Sequence, residues 1–285
     1  MKPKQHTLWL LAALSAPLAH FSGSGWLMTA LAASAVLPLT LLPKAWEGMP
    51  KPLALFQLLW LGAVAGALLS GGPAYWPSDN DLAVPLTLLA LAALTGSAAA
   101  PRIGAVLALC IALLSIPAAV SGAARVEGAW LYPTAGDWPW ALTLVLLLPN
   151  LPAAGDGKNR GAVYAGLLAA ALSLLVQGTI SPQVAESVPA PFYQTARTLG
   201  YLEPVIAAGI TLGWYAVAVY LLENARWLGK QMGLRARMAS VLPLGTAILS
   251  ILGGVQLREP FWALLSTFLW VLAPFLTNFK KVEKT

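Results

Sequence analysis

Glu203 is the acidic residue whose position most suggests chemistry, because it lies within an apolar run that is typical of a membrane-spanning helix. A charge at the middle of a bilayer costs about 2.5–3.5 kcal/mol, so such a carboxylate usually faces a cavity or a partner. Glu203 also lies near the start of its predicted helix, just before Pro204, where the helix dipole favours an acid at the membrane surface. We favour the surface interpretation, with Arg197 as the partner, and keep a proton or ligand role as the alternative.

Ser15, Ala16 and Pro17 form a second candidate, inside the first apolar run. Pro17 has no amide hydrogen, and its ring clashes with the carbonyl group of Ala13, so a helix is expected to kink or unwind there. Unwound backbone groups could bind the carboxylate or ammonium group of a ligand. For an isolated proline, a simple kink in a packed helix would be the favoured alternative.

Asp137 is a third candidate, because it precedes Trp138-Pro139-Trp140 at the start of a later apolar run. Its side chain could line a site in this break, or it could only cap the helix that follows.

The sequence contains no Walker loop, no HExxH, no GxSxG and no cluster of Cys and His. We therefore predict that the protein is not an enzyme, and that it uses no cofactor and no metal.

Composition indicates which elements must position these residues. The chain of 285 residues is 58% hydrophobic and only 10% charged, far from the average soluble domain. We predict one polytopic, all-α transmembrane domain over residues 1–285. Apolar runs give ten candidate spans, with helices 1–5 at about 7–121 and helices 6–10 at about 137–279. Their approximate bounds are 7–20, 26–43, 53–71, 82–99, 102–121, 137–152, 161–180, 198–222, 238–254 and 260–279.

Charge placement predicts the orientation of these spans. If the N-terminus is cytoplasmic and His20 to Trp26 form an outer hairpin turn, 14 basic residues lie inside and 3 outside, as the positive-inside rule requires. Both termini are then cytoplasmic. A cleaved signal peptide fits less well, because Pro17 would occupy the third position before the cut. The basic run RWLGKQMGLRAR is predicted to be a cytoplasmic turn that attracts anionic lipid, and the twelve tryptophans to form belts at the membrane interfaces.

The order of features in the second half resembles the spore-germination permeases of the GerAB type, which belong to the amino acid-polyamine-organocation superfamily. The resemblance rests on Pro149, the basic turn from Lys158 to Arg160, and Tyr201-Leu202-Glu203 opening a helix. The first half is similar more loosely, through Gly25-Trp26 and the segment PAYWPSDNDLAVPLTLLALAALTG.

This resemblance implies a leucine-transporter-like fold, in which helices 1–5 and helices 6–10 form inverted repeats and breaks in helices 1 and 6 bind the ligand. It makes ligand contact at Ser15, Ala16 and Pro17 nearly as favoured as the kink, with Asp137 and Glu203 as further ligand-binding candidates. Helices 1 and 6 are shorter here than in the family, and Tyr201 replaces its arginine. The resemblance therefore implies a shortened and divergent member of the family.

Three functions remain open on this basis. The first is a permease-like subunit of a nutrient germinant receptor in the spore inner membrane, which senses an amino acid or similar nutrient together with a soluble-domain membrane subunit and a lipoprotein. The second is a secondary transporter for an amino acid or amine. The third is a membrane scaffold subunit that has lost its site. None of the three involves nucleic acid as a partner.

Overall fold

The computed structural model describes the chain mainly in five stretches, residues 50–70, 80–96, 181–188, 203–255 and 259–273. It also describes single residues at positions 27, 30, 31, 34, 76, 106, 110, 167, 168, 170, 171, 174, 176, 180, 193, 194 and 197. All of these residues lie in helices, turns or their connections, and none of them belongs to a β-strand. The prediction of an all-α chain is confirmed for this part of the sequence.

The described stretches contain six α-helices and one π-helical segment. Two helices, α1 and α4, have 19 and 29 residues and are long and apolar enough to cross a membrane, which takes about 20 residues. The others are shorter, although α2, α5 and the last helix are also apolar. In chain order the elements are α1 (Lys51–Leu69), α2 (Ala83–Thr95), α3 (Pro182–Ser187), α4 (Glu203–Gln231), α5 (Ala236–Leu252), α6 (Pro260–Thr267) and the π-helical segment (Phe268–Leu272).

Proline and glycine mark the ends of these helices. Pro260 is the first residue of α6, where a missing amide hydrogen costs nothing because first-turn amides have no helical partner. Gly233 follows α4 with a φ of +82°, which an L side chain rarely adopts. The amide of Leu234 donates to the carbonyl oxygen of Gly229 at 3.0 Å and closes the helix end. Chain direction therefore reverses within four residues between α4 and α5.

Four predicted spans agree closely with described helices. The spans predicted at about 53–71, 82–99 and 238–254 correspond to α1, α2 and α5, and the predicted start at about 260 coincides with α6. Each of these apolar runs is bounded by proline, glycine or charge, which is why its position can be read from the sequence.

The span predicted at 198–222 is wrong at its end, and so is the extent of the turn predicted for RWLGKQMGLRAR. Helix α4 continues to Gln231, and the turn occupies only residues 232–235. The apolar run stops at Glu223, but the helix does not, because Glu223 and Arg226 pair at 2.9 Å along its surface. Ala225 and Leu228 on the same segment are fully buried, so packing holds the polar turns in the helix.

Helix α1 packs most extensively against α5, and the contact is made through glycine. A Cβ atom on Gly66 would overlap the backbone of Ala247, with 2.9 Å to its Cα atom, and one on Gly62 would lie 2.8 Å from Pro243 Cα. Small residues four apart let two helix backbones approach this closely, the usual solution where lipid gives no hydrophobic driving force. Because Gly62 faces Pro243 and Gly66 faces Ala247, the two helices run in the same direction.

The directions of the remaining helices follow from contacts along α1 and α4. Helix α6 runs opposite to α1, since Trp60 contacts Ser266 whereas Gln57, earlier in α1, contacts Leu269. Helix α4 is joined to α5 by the short turn and runs opposite to it and to α1. Helix α2 runs in the direction of α4, because Trp76 before α2 bonds to Thr211 and the end of α2 meets the later part of α4.

Three tryptophans do not lie where the sequence suggested. Trp60, Trp214 and Trp270 have exposed fractions of 5%, 0% and 1% and belong to the core, whereas Trp76 is 39% exposed. The expectation of interface belts is therefore wrong for these three. They sit in the middle of apolar helices, where a large aromatic side chain fills the space between neighbouring helices.

Candidate functional site

Glu203 is the candidate ligand residue that the structure describes. Ser15, Ala16, Pro17 and Asp137 lie outside the described residues, and their ligand-binding role stays a prediction. The structure therefore shows the surroundings of Glu203 alone among the five.

The carboxylate of Glu203 lies in the first turn of α4 and contacts two side chains that precede the helix. Its Oε1 atom accepts a hydrogen bond from the hydroxyl group of Tyr193 at 2.5 Å and lies 3.6 Å from Nε of Arg197. The Glu203 and Arg197 side chains are 36% and 58% exposed. Arg197 as partner is thus confirmed, and the position at a helix start gives the carboxylate a favourable dipole interaction.

Tyr193 was not predicted from the sequence, although it shapes the electrostatics of this cluster. Burial of its hydroxyl group, the hydrogen bond to Glu203 and the negative charge of Glu203 raise the pKa of Tyr193 to about 12, while Arg197 acts in the opposite direction. The phenol therefore stays protonated and donates its hydrogen at physiological pH. A carboxylate held by a phenol and a guanidinium group is already satisfied, which favours a structural role over proton transfer.

A second polar cluster joins α1 to the last helix, deep in the core. The side chain of Gln57 is fully buried, and its Nε2 atom donates to the carbonyl oxygen of Leu269 at 2.7 Å. One turn along α1, Nε1 of Trp60 donates to Oγ of Ser266 at 2.9 Å. The Trp60 ring also stacks on Trp262, with ring centroids 5.3 Å apart. Two hydrogen bonds and one stacking contact therefore fix α1 against the last helix.

The bond from Gln57 has a backbone cause. Leu269 lies in the π-helical segment, where the amide of Ala273 bonds to the carbonyl oxygen of Phe268, five residues earlier. The next bond of this pattern would run from residue 274 to Leu269, but Pro274 has no amide hydrogen. The side chain of Gln57 supplies the missing donor. A polar residue in an apolar helix, together with a proline near the end of the last span, was the sequence signal for this contact.

Two buried polar atoms in the same region have no hydrogen-bond partner in the part of the chain that the structure describes. They are Oε1 of Gln57 and Nε1 of Trp270. Unpaired buried polar groups cost about 1–3 kcal/mol each, and they often mark sites where a structure serves something other than stability. Turning the Gln57 amide over would place its oxygen against the Leu269 carbonyl oxygen, so the present orientation is the favourable one.

A third polar cluster lies where α2 ends against α4. Arg226 pairs with Glu223, and its Nη2 atom donates to the carbonyl oxygen of Ala93 at 3.3 Å. That carbonyl belongs to the last turn of α2, where the helix dipole favours a cation. Thr95 and Tyr215 share a hydrogen bond of 2.5 Å beside it. This cluster fixes the end of α2, and within it the Nε atom of Arg226 is buried without a hydrogen-bond partner among the described residues.

Metal binding finds no support in the part of the chain that the structure describes, where no three His, Cys, Asp or Glu side chains group together. Cys110 is exposed and carries no disulfide. The described helices therefore offer carboxylate, amide, indole and hydroxyl groups for recognition.

No protein-family model matches this sequence, and no curated protein matches it either.

Proposed function

We propose that this protein is an integral membrane protein of ten helices arranged as a 5+5 inverted repeat. In this arrangement α1 and α2 are the third and fourth helices, and α4 and α5 are the eighth and ninth. A pseudo-two-fold axis relates the third helix to the eighth and the fourth to the ninth. Every contact between the third and ninth helices must then have a counterpart between the eighth and fourth.

The packing of the described helices is what carries this proposal. Helix α1 contacts α5, and α4 contacts α2, which are the two symmetry-related pairs. Helices α1 and α4 also contact each other, as expected of two elements on either side of the axis. A bundle of five helices in simple sequential order would not require this crossed pairing between helices that lie more than a hundred residues apart.

Helix direction and charge provide independent support. If ten helices cross the membrane in alternating directions, the third and ninth helices run in one direction and the fourth, eighth and tenth in the opposite one. The described helices agree with this, with α6 as the tenth helix. Helices α1 and α5 run in one direction, and α2, α4 and α6 run in the other. At the end where α1 and α5 begin, Lys51, Lys230, Arg235 and Arg237 are exposed. The positive-inside rule makes this the cytoplasmic end, with both termini on that side.

In this membrane protein we assign the function of a permease-like subunit of a nutrient germinant receptor. The resemblance of the second half to GerAB-type permeases supports this assignment, and α4 begins at Glu203, one of the residues on which the resemblance rests. The subunit would recognise an amino acid or a similar nutrient through Ser15, Ala16, Pro17 and Asp137. It would act with a soluble-domain membrane subunit and a lipoprotein in the spore inner membrane.

Purification of the tagged protein from spores tests the receptor function. We expect the two partner subunits to co-purify, and deletion to abolish germination on at least one amino acid while germination on unrelated triggers continues. A tagged variant with Ser15→Leu should assemble normally but need a higher nutrient concentration. A protein that purifies alone, in a strain whose deletion germinates normally on all nutrients, would contradict the proposal.

A scaffold subunit without its own ligand is the second candidate, because Glu203 is satisfied by Tyr193 and Arg197 at a partly exposed position. In a scaffold, Glu203→Gln and Ser15→Leu leave the nutrient dose-response unchanged, whereas in a sensing subunit at least one of them shifts it.

Secondary transport can be distinguished from both by reconstitution of the purified protein. Saturable uptake into proteoliposomes across an amino acid panel would support transport, and absence of uptake would count against it.

A further inference from the structure

Three helices meet at Gly229, near one end of the described bundle. A Cβ atom on Gly229 would lie 2.8 Å from Cβ of Ala239 in α5 and 3.1 Å from Cδ1 of Leu58 in α1. The starts of α1 and α5 and the end of α4 are therefore neighbours. We call the exposed cations at this end, Lys51, Lys230, Arg235 and Arg237, the basic end.

Three of the four cations, Lys230, Arg235 and Arg237, have few acids near them in sequence. The sequence contains no Asp or Glu from residue 224 to residue 258. Glu223, the acid nearest to these three in sequence, is already paired with Arg226 at 2.9 Å. Glu47 precedes Lys51 by four positions and lies outside the described residues. The opposite end of the described bundle carries Asp81 and Glu259, and also Glu203, which is paired with Arg197. The described bundle is thus electrically polar along its axis.

Exposed apolar side chains begin directly beside the cations. On α1, Lys51 is followed one turn later by Leu55 and Phe56, which are 39% and 64% exposed. On α5, Met238 and Val241 follow Arg237 and are 50% and 61% exposed. A layer of positive charge next to a layer of exposed hydrocarbon matches the two layers of a phospholipid, the headgroup and the acyl chain.

We propose that the basic end binds the headgroups of anionic phospholipids, with the acyl chains lying against the exposed apolar residues of α1 and α5. This inference rests on the membrane part of the proposed function and does not depend on nutrient recognition. Charge complementarity selects the class of lipid, because a zwitterionic headgroup would leave the four cations unneutralised. A single Lys or Arg near a membrane surface contributes enough to strengthen binding about fivefold.

Lipid retention measures this binding directly. The full chain is purified in detergent, incubated with phosphatidylglycerol or phosphatidylcholine, and analysed by native mass spectrometry. We expect preferential retention of phosphatidylglycerol, weakened about fivefold by Arg235→Gln and about 25-fold by Arg235→Gln combined with Arg237→Gln. Retention of phosphatidylcholine should not change, and inorganic phosphate at millimolar concentration should not displace the lipid.

Two control variants keep the outcome interpretable. Arg235→Lys with Arg237→Lys retains the charges, so its phosphatidylglycerol binding should stay within about twofold of the unchanged protein if the fold is intact. Arg197→Gln makes the same substitution at the opposite end and should have no effect. Equal retention of phosphatidylglycerol by the double glutamine variant and the unchanged protein would overturn the proposal, as would an equal loss with Arg197→Gln. Neither result depends on the germination assay, so the two proposals fail separately.

Discussion

Helix α1 contacts its neighbours through two faces that are built differently. Toward α5 it presents Gly62 and Gly66, and the backbones of the two helices touch. Toward the last helix it presents Gln57 and Trp60, which make side-chain hydrogen bonds to Leu269 and Ser266. One face is defined by the absence of side chains, the other by polar groups buried in an apolar core.

The two faces respond to different kinds of change. The glycine face depends on size, because nothing can be inserted between two backbones in contact. The polar face depends on hydrogen-bond pairing, because water cannot reach a carbonyl oxygen in the core to replace a donor that it has lost. Among the described residues, the polar face leaves Oε1 of Gln57 without a hydrogen-bond partner, and Oγ of Ser250, in the helix that packs on the glycine face, has none either. We expect changes of side-chain size to matter most at the glycine face and changes of hydrogen bonding to matter most at the polar face.

Gly66→Val should have the largest effect on stability. Its side chain would meet the carbonyl group and Cα atom of Ala247, which are backbone atoms and cannot rotate away. We expect the free energy of unfolding to fall by about 3 kcal/mol or more, the upper end for overpacked sites. Titration with a denaturing detergent, followed by tryptophan fluorescence, measures this change. Gly62→Val should have a comparable effect, because a Cβ atom there would also meet backbone, the carbonyl group and Cα atom of Pro243.

Gly245→Ala is the matched control for this prediction. Gly245 lies on α5 near the same interface, but a Cβ atom there would have no neighbour within 4 Å. Since alanine favours a helix over glycine by up to about 1 kcal/mol, this variant should be neutral or more stable. If Gly66→Val were as stable as Gly245→Ala, the close approach of α1 and α5 would be wrong.

The contrast between the two faces also shows what the sequence can predict. The bounds of α1, α2 and α5 follow from apolar runs, which are local. The end of α4 does not, because Glu223 and Arg226 interrupt the apolar run while the helix continues through them. The polar face is harder still, since Gln57 and Leu269 are separated by 212 positions. Only the missing amide of Pro274 hints that a donor is needed.

The candidate site was predicted less completely than the helices. Arg197 as a partner of Glu203 followed from charge and proximity in the sequence. Tyr193 did not, because a tyrosine shortly after Pro189 and Pro191 gives no sign in the sequence of which acid it will contact. Its hydrogen bond depends on the fold of the segment before α4.

Gln57→Leu should have the second-largest effect. It removes the donor to Leu269 but also removes the unpaired Oε1 atom, so the two changes partly offset each other. We expect a loss of about 1–2 kcal/mol in the free energy of unfolding, since a buried carbonyl oxygen left unpaired costs about 1–3 kcal/mol. The same detergent titration measures it.

Gln57→Glu tests whether the hydrogen bond or the packing is responsible. The new carboxyl group can donate to the Leu269 carbonyl oxygen only while it is protonated. The variant should therefore be closest to the unchanged protein at low pH and lose stability as pH rises. A stability difference independent of pH would show that the bond to Leu269 is not what matters.

Tyr193→Phe should have the smallest effect and provides the exposed counterpart to the buried polar face. The hydrogen bond to Glu203 lies where the carboxylate is 36% exposed, so water can replace the lost donor. We expect a loss of no more than about 1 kcal/mol at neutral pH.

Because the pKa of Tyr193 is raised from 10.0 to about 12, its contribution is complete below pH 10 and disappears as pH rises through 12. Tyrosinate absorbance near 295 nm should therefore show a group that titrates near pH 12 and is missing in Tyr193→Phe. In Glu203→Gln that group should titrate earlier but still above 10, since burial is the largest cause of the shift. An unchanged late titration in Tyr193→Phe would assign the group to another tyrosine. The contact between Tyr193 and Glu203 would then not be the partly exposed counterpart of the buried contact between Gln57 and Leu269.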